Sequence, residues 1–155
     1  MLKRFAALAV VGLVCAACAM TAPVAKQIQN SFPIDKPFDP VWQAVIETFG
    51  ELNLSIMNME KASALITTNK IDFSSRPGYA DCGNLGFFGT ALDLTGKINV
   101  YVKRVSDNAC EVKVNAIFEL RYKSLSKGPD EYYKQCVSTG KLEGEIFKRI
   151  QEKLK

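Results

Sequence analysis

From Cys110 to Tyr122 the chain alternates with a period of two. Cys110, Val112, Val114, Ala116, Phe118, Leu120 and Tyr122 fall on one side of an extended chain, and Glu111, Lys113, Asn115, Glu119 and Arg121 on the other; only Ile117 breaks the pattern. Successive side chains of a strand point to opposite faces, so this run predicts a strand with one buried and one wet face. One-sided strands belong to antiparallel sheets, because parallel sheets are covered on both faces. Ile98, Val100 and Val102 alternate in the same way with Asn99, Tyr101 and Lys103, and "SDN" at 106–108 supplies a turn between the two runs. A sheet of this kind needs a second layer over its apolar face.

Two segments predict that layer. Asp39-Pro40 opens a helix, with Asp as N-cap and Pro at the first helical position. Trp42, Val45, Ile46, Phe49 and Leu52 follow as one stripe at helical period. Near the C-terminus, from Ser138 or Thr139, Leu142, Ile146, Ile150 and Leu154 repeat every four residues and Phe147 widens the stripe. Glu143 and Glu145 at its start, and Lys153 and Lys155 at its end, suit the helix dipole. Ser31–Ile34 reads as a short strand. Residues 54–59 and 64–73, joined by "EKAS", read as an antiparallel hairpin. "SSRPGYADCGNLGFFGTALDLTG" reads as a long loop punctuated by Gly and Pro, and 123–130 as a polar stretch. The expected fold is α+β, in the order β-α-β-β-(loop)-β-β-α. It is a single antiparallel sheet of about five strands with both helices packed on one face.

Ahead of this domain, Lys3 and Arg4 precede an apolar run at 5–14 and then small residues, the plan of a secretory signal peptide. The run is shorter than the ~20 residues a membrane-spanning helix needs. Ala16-Ala17-Cys18 resembles the lipobox of bacterial lipoproteins. That resemblance implies that Cys18 becomes the new N-terminus and carries the lipid, with more than one acyl chain needed for stable attachment. Cys15 stands where the lipoprotein family usually has Leu, and an ordinary signal peptide cleaved nearby is the alternative. Ala19 follows the Cys in place of Asp, which by the same resemblance implies sorting to the outer membrane, facing the periplasm. The expected organisation is a removed leader at 1–17, a lipidated Cys and tether at 18–30, and one domain at 31–155. As a flexible coil, a tether of this kind spans roughly 20 Å.

Secretion places the remaining Cys82, Cys110 and Cys136 in a compartment where disulfides persist. Cys110 falls on the core face of the long strand, where it serves as a small apolar residue. Cys82 and Cys136 lie outside the expected elements, Cys136 leading into the last helix. The expected bond is Cys82–Cys136, the alternative being a pairing that uses Cys110. Closing the 53 intervening residues would stabilise the fold by roughly 4 kcal/mol on the chain-entropy view.

Little in the chain points to catalysis. It has no histidine, which rules out Ser-His-Asp and Cys-His nucleophiles, and three cysteines without histidine make no zinc ligand set. Ser124-Leu125-Ser126-Lys127 and Ser106-Asp107-Asn108 match two motifs of serine β-lactamases, but in reversed order and without the third; they read as a loop and a turn. Gly83, Gly86 and Gly89 lack the Lys-Ser/Thr of a phosphate loop. Asp72, Asp81 and Asp93 flank the long loop and read as solvated charges. No cofactor and no metal are expected. Without Lys3 and Arg4 the chain has 18 basic and 16 acidic residues, a net of +2, too small and too interspersed for nucleic-acid binding. The long loop does hold apolar residues: Leu85, Phe87 and Phe88, beside Tyr79. These either cover an edge of the core or form a partner contact, since aromatics are enriched in interface cores.

The segment "FDPVWQAVIETFGELNLSIMNMEKASALITTNKI" resembles small bacterial outer-membrane lipoprotein domains in which a sheet grips a helix, the lipoproteins of the β-barrel assembly machinery among them. "DCG" and "CVSTGKLE" resemble envelope lipoproteins of the same kind. Fold alone transfers function poorly. The resemblance implies a non-enzymatic, membrane-anchored binding or assembly accessory module whose partners are the membrane and another envelope protein. The alternative is a periplasmic carrier that holds a small apolar ligand between sheet and helix; a hydrolase ranks last.

Overall fold

The computed structural model describes residues 22, 23 and 26–155. The leader at 1–17, Cys15 and the Cys18 lipidation site lie outside the described residues. Eight strands and two helices follow: β1 (Ser31–Ile34), α1 (Phe38–Glu51), β2 (Ile56–Glu60), β3 (Leu65–Thr68), β4 (Ile71–Asp72), β5 (Ala80–Asp81), β6 (Gly89–Ser106), β7 (Ala109–Ser124), β8 (Gly128–Ser138) and α2 (Lys141–Lys153). All strand pairs are antiparallel.

The α+β class holds, whereas the expected count of about five strands is too low. The eight strands fill six rows of one sheet, in the order β2-β3-β6-β7-β8-β5. Two rows are shared. β3 and β4 both pair with β6, at Asn99–Tyr101 and at Thr95–Gly96 respectively, as one strand broken between Thr68 and Ile71. β1 and β8 lie along different halves of β7, at 110–113 and 118–124.

The alternation in β7 does what it predicts. Val112, Val114 and Phe118 are fully buried with Ile98, Val100 and Val102 of β6, and Ile117 faces outward with the polar residues. Both helices lie over this apolar face. α1 buries Phe38, Val41, Trp42, Val45 and Phe49, and α2 buries Leu142, Ile146 and Ile150. Phe147 of α2 stacks on Phe32 of β1, with centroids 4.1 Å apart. Gly96 is where the core draws closest to the sheet. A Cβ there would meet the rings of Phe118 and Phe73 at 2.9 Å, so the edge-to-face pair of those rings needs glycine beneath it.

The helix starts differ from expectation. Pro37, with ψ 160°, is the N-cap of α1, so Asp39 and Pro40 occupy the second and third helical positions. Pro40 is tolerated there because the first helical N–H groups have no intrahelical acceptor; the first such bond runs from Val41 N–H to Pro37 O. α2 begins at Lys141, later than Ser138 or Thr139, because Ser138 still pairs with Ala80 in the sheet. The expected long loop is shorter than its sequence suggests: β5 interrupts it and β6 begins already at Gly89.

Candidate contact surface

The long loop divides into parts with different jobs. Tyr79 is half-buried on the core: its ring meets Phe73 edge-on, with centroids 5.9 Å apart, and its hydroxyl donates to Glu145 Oε2 of α2 at 2.6 Å. That bond, formed only by the protonated phenol, is the main cause raising the Tyr79 pKa above its ordinary value, with burial second. Leu85 is also packed against the core. Phe87 and Phe88 are not. They are 86% and 53% exposed and meet each other edge-to-face at 5.1 Å. Of the four loop residues singled out in the sequence, two cover the core and two project.

A third projecting side chain joins them. Leu125, in the turn between β7 and β8, is 84% exposed, and its N–H donates to Phe88 O at 3.2 Å. This bond ties the loop to the β7–β8 turn at one end of the sheet and forms an apolar tip. The sequence did carry a signal for Leu125, a lone large apolar residue inside a polar turn. The same residue lies inside the S-x-x-K match, which masks that signal. Burying an exposed Phe or Leu side chain contributes ~1.5–3 kcal/mol each, so leaving three together in water is costly unless something covers them.

The tip is held rather than loose. Where the loop leaves β5, toward the end of β8 away from Leu125, Cys82 and Cys136 are joined as a disulfide, with Cα atoms 4.3 Å apart. Cys136 lies within β8 and not beyond the regular elements. Gly83 and Gly86 have φ of 64° and 78°, left-handed values that glycine adopts without strain. Asp81 and Asn84 side chains accept from Gly83 N–H and Gly86 N–H at 2.8 and 2.7 Å. On the other side, Lys127 Nζ donates to Tyr122 OH at 2.9 Å and lies 5.2 Å from the Tyr132 ring. Tyr132 OH donates in turn to Lys127 O at 2.6 Å. Further along the wet face, Arg121 bonds Asp93 and also Glu131, the latter at 2.7 Å. Both bonds favour the charged guanidinium and hold its pKa above the usual arginine range.

The apparent catalytic motifs dissolve into this framework. Ser124 Oγ bonds Ser126 Oγ at 2.9 Å, and Lys127 turns to the tyrosines. In the "SDN" turn, Asn108 N–H donates to Ser106 Oγ. Asp72 accepts from Ser74, whose side-chain and backbone bonds lower the Asp72 pKa, and Asp93 serves Arg121. Among the described residues, no three carboxylate or cysteine side chains are grouped to hold a metal ion. Cys110 is a buried free thiol whose pKa is pushed up by burial. The space between sheet and helices, where a carried ligand was considered, is occupied by fully buried Phe49, Phe73, Phe118 and Ile98. No helix among the described residues is long and apolar enough to cross a membrane. Compared with known proteins, the sequence matches neither a protein-family model nor a curated protein.

Proposed function

We propose that this chain is an envelope lipoprotein, anchored in the outer membrane through Cys18, that acts as a non-enzymatic accessory module by presenting its apolar tip to another envelope protein. The observation that carries the reading is the trio Phe87, Phe88 and Leu125, exposed together, with Phe88 tied to the β7–β8 turn by a backbone bond and the start of the loop fixed to β8 by the disulfide. Rigid exposed aromatics of this kind make good interface anchors, because little side-chain freedom is lost on binding.

The test is cross-linking in intact cells with Phe87→Ala, Phe88→Ala and Leu125→Ala combined. Partner recovery should fall to background while the melting temperature stays within the small range typical of surface substitutions, about ±0.5 kcal/mol in stability. Unchanged recovery would remove the tip from the interaction, and a large fall in melting temperature would make it part of the core. In the same cells, labelled palmitate should enter the wild-type chain and not Cys18→Ala; equal labelling would end the lipoprotein reading.

A further inference from the structure

Away from the tip, the end of α1, the segment after β4 and one flank of α2 border a groove of about 390 Å³. That size falls within the ~300–1,000 Å³ of small-molecule sites. Its wall is Leu52, Leu54, Leu142 and Ile146. Leu54, Leu142 and Ile146 are themselves core residues, so the wall exists before any ligand arrives. Its rim is Arg76, Tyr79, Glu145 and Arg149.

The rim carries unequal charge. Glu145 is engaged, since it accepts from the Tyr79 hydroxyl and lies 4.0 Å from Lys141 Nζ. Among the described residues, Arg76 and Arg149 have no carboxylate within ion-pair distance. Both guanidinium charges nonetheless act on one point, the Tyr79 hydroxyl, where they oppose the effect of Glu145. With Glu145 offset by Lys141, the two guanidinium groups leave net positive charge facing an apolar wall.

We propose that this groove binds a small monocarboxylate bearing a short acyl chain, with its carboxylate between Arg76 and Arg149 and its chain along Leu52, Leu54, Leu142 and Ile146. The planar guanidinium fork matches a carboxylate in shape. The site is independent of the tip and does not depend on its partner.

Residues 26–155 contain every described element, the described core and the disulfide, and serve as the chain for calorimetric titration with octanoate. Saturable binding at one site is expected. Octanol, the uncharged molecule with the same chain, should bind about tenfold or more weaker, and Arg76→Gln and Arg149→Gln should each weaken octanoate by about tenfold. Both arginines are exposed, so the variants should keep the wild-type melting temperature. The proposal is overturned by an absence of saturable octanoate binding, by octanol or acetate binding as tightly, or by variants that bind as wild type. Tighter binding of octyl phosphate would overturn the monoanion assignment. A peptide with an apolar C-terminal residue that binds where octanoate does not would show the groove to be a peptide site instead.

Discussion

Glu143 is fully buried in the first turn of α2, where its Oε1 accepts from Ala116 N–H at 3.3 Å and its Oε2 from the Ser138 hydroxyl at 2.8 Å. Its place follows from the sheet. Along one edge of β7, Val114 N–H donates to Asn30 O, just before β1, and Phe118 pairs with Cys136 of β8. Ala116 falls in the gap between those two partners, and the carboxylate fills it. Removing the acceptor leaves a buried donor unmet, which costs about 2–3 kcal/mol when the lost bonds are to a charged group. Glu143→Ala should lose that much in urea denaturation, and Glu143→Gln, which keeps one acceptor, should lose less; equal midpoints for Glu143→Ala and wild type would discard the role. In the sequence Glu143 reads only as an acidic residue suited to a helix start, because the strand gap it fills lies in β7 between β1 and β8, which are brought together only by the fold. Tyr79 carries a second prediction at this scale. Folding favours its protonated form, so its contribution is complete below the ordinary tyrosine value of about 10 and is lost as pH rises through the higher folded value. Phenolate absorbance should show one of the five tyrosines ionising late, and Tyr79→Phe should remove that late step; an unchanged titration in Tyr79→Phe would assign it elsewhere.

The elements that were legible are those that bury one face. β7, the 98–102 part of β6 and the apolar stripes of α1 and α2 carry their period in the sequence because the core sits on one side of each. β8 does not. Along it only Cys136 is buried, so it has no apolar alternation to read, and it is backbone pairing, with β7 and at its end with β5, that makes it a strand. The two-residue strands β4 and β5 are too short to carry any pattern. This explains why Cys136 looked like a residue between elements. It also sharpens the role of the disulfide: Cys82 follows the last residue of β5, so the bond fixes that two-residue strand and the loop beyond it to β8. Replacing both Cys82 and Cys136 by Ser should lower stability by roughly 4 kcal/mol on the chain-entropy view, and dithiothreitol should do the same to wild type and nothing further to the double variant. Wild-type stability in the double variant would mean that the bond does not form. Two projecting residues of the tip were visible as apolar residues in a loop. Their separation from Tyr79 and Leu85 was not, because it depends on which loop residues reach back over Phe73.

At the scale of the whole molecule, the tip and the chain leading from Cys18 lie at opposite ends of β8. Ile28 rests against Gly140, with its Cβ 3.2 Å from where a Cβ on that glycine would stand, just beyond Ser138 at one end of the strand. Leu125 and Phe88 sit beyond Gly128 at the other end. Because Gly128 and Glu131 pair with adjacent residues of β7, the strand advances about eight residues, and at ~3.4 Å per residue these ends are about 27 Å apart. The residues from Cys18 to Ile28 reach at most about 35 Å when fully extended. If Cys18 carries the proposed lipid, a tip pointing into that bilayer would need most of this reach to run back along the strand, whereas a tip pointing away needs none of it. On the proposed anchor at Cys18, this favours another protein over the anchoring membrane as the tip's partner. Leu125→Cys offers a direct check, because Cys110 is buried and the added thiol takes a fluorophore selectively. With the lipidated chain reconstituted in vesicles containing brominated lipid, the label should show the emission and lifetime of the chain in solution. A blue-shifted and quenched label would mean that the tip dips into the bilayer, and the exposed aromatics would then be a membrane contact.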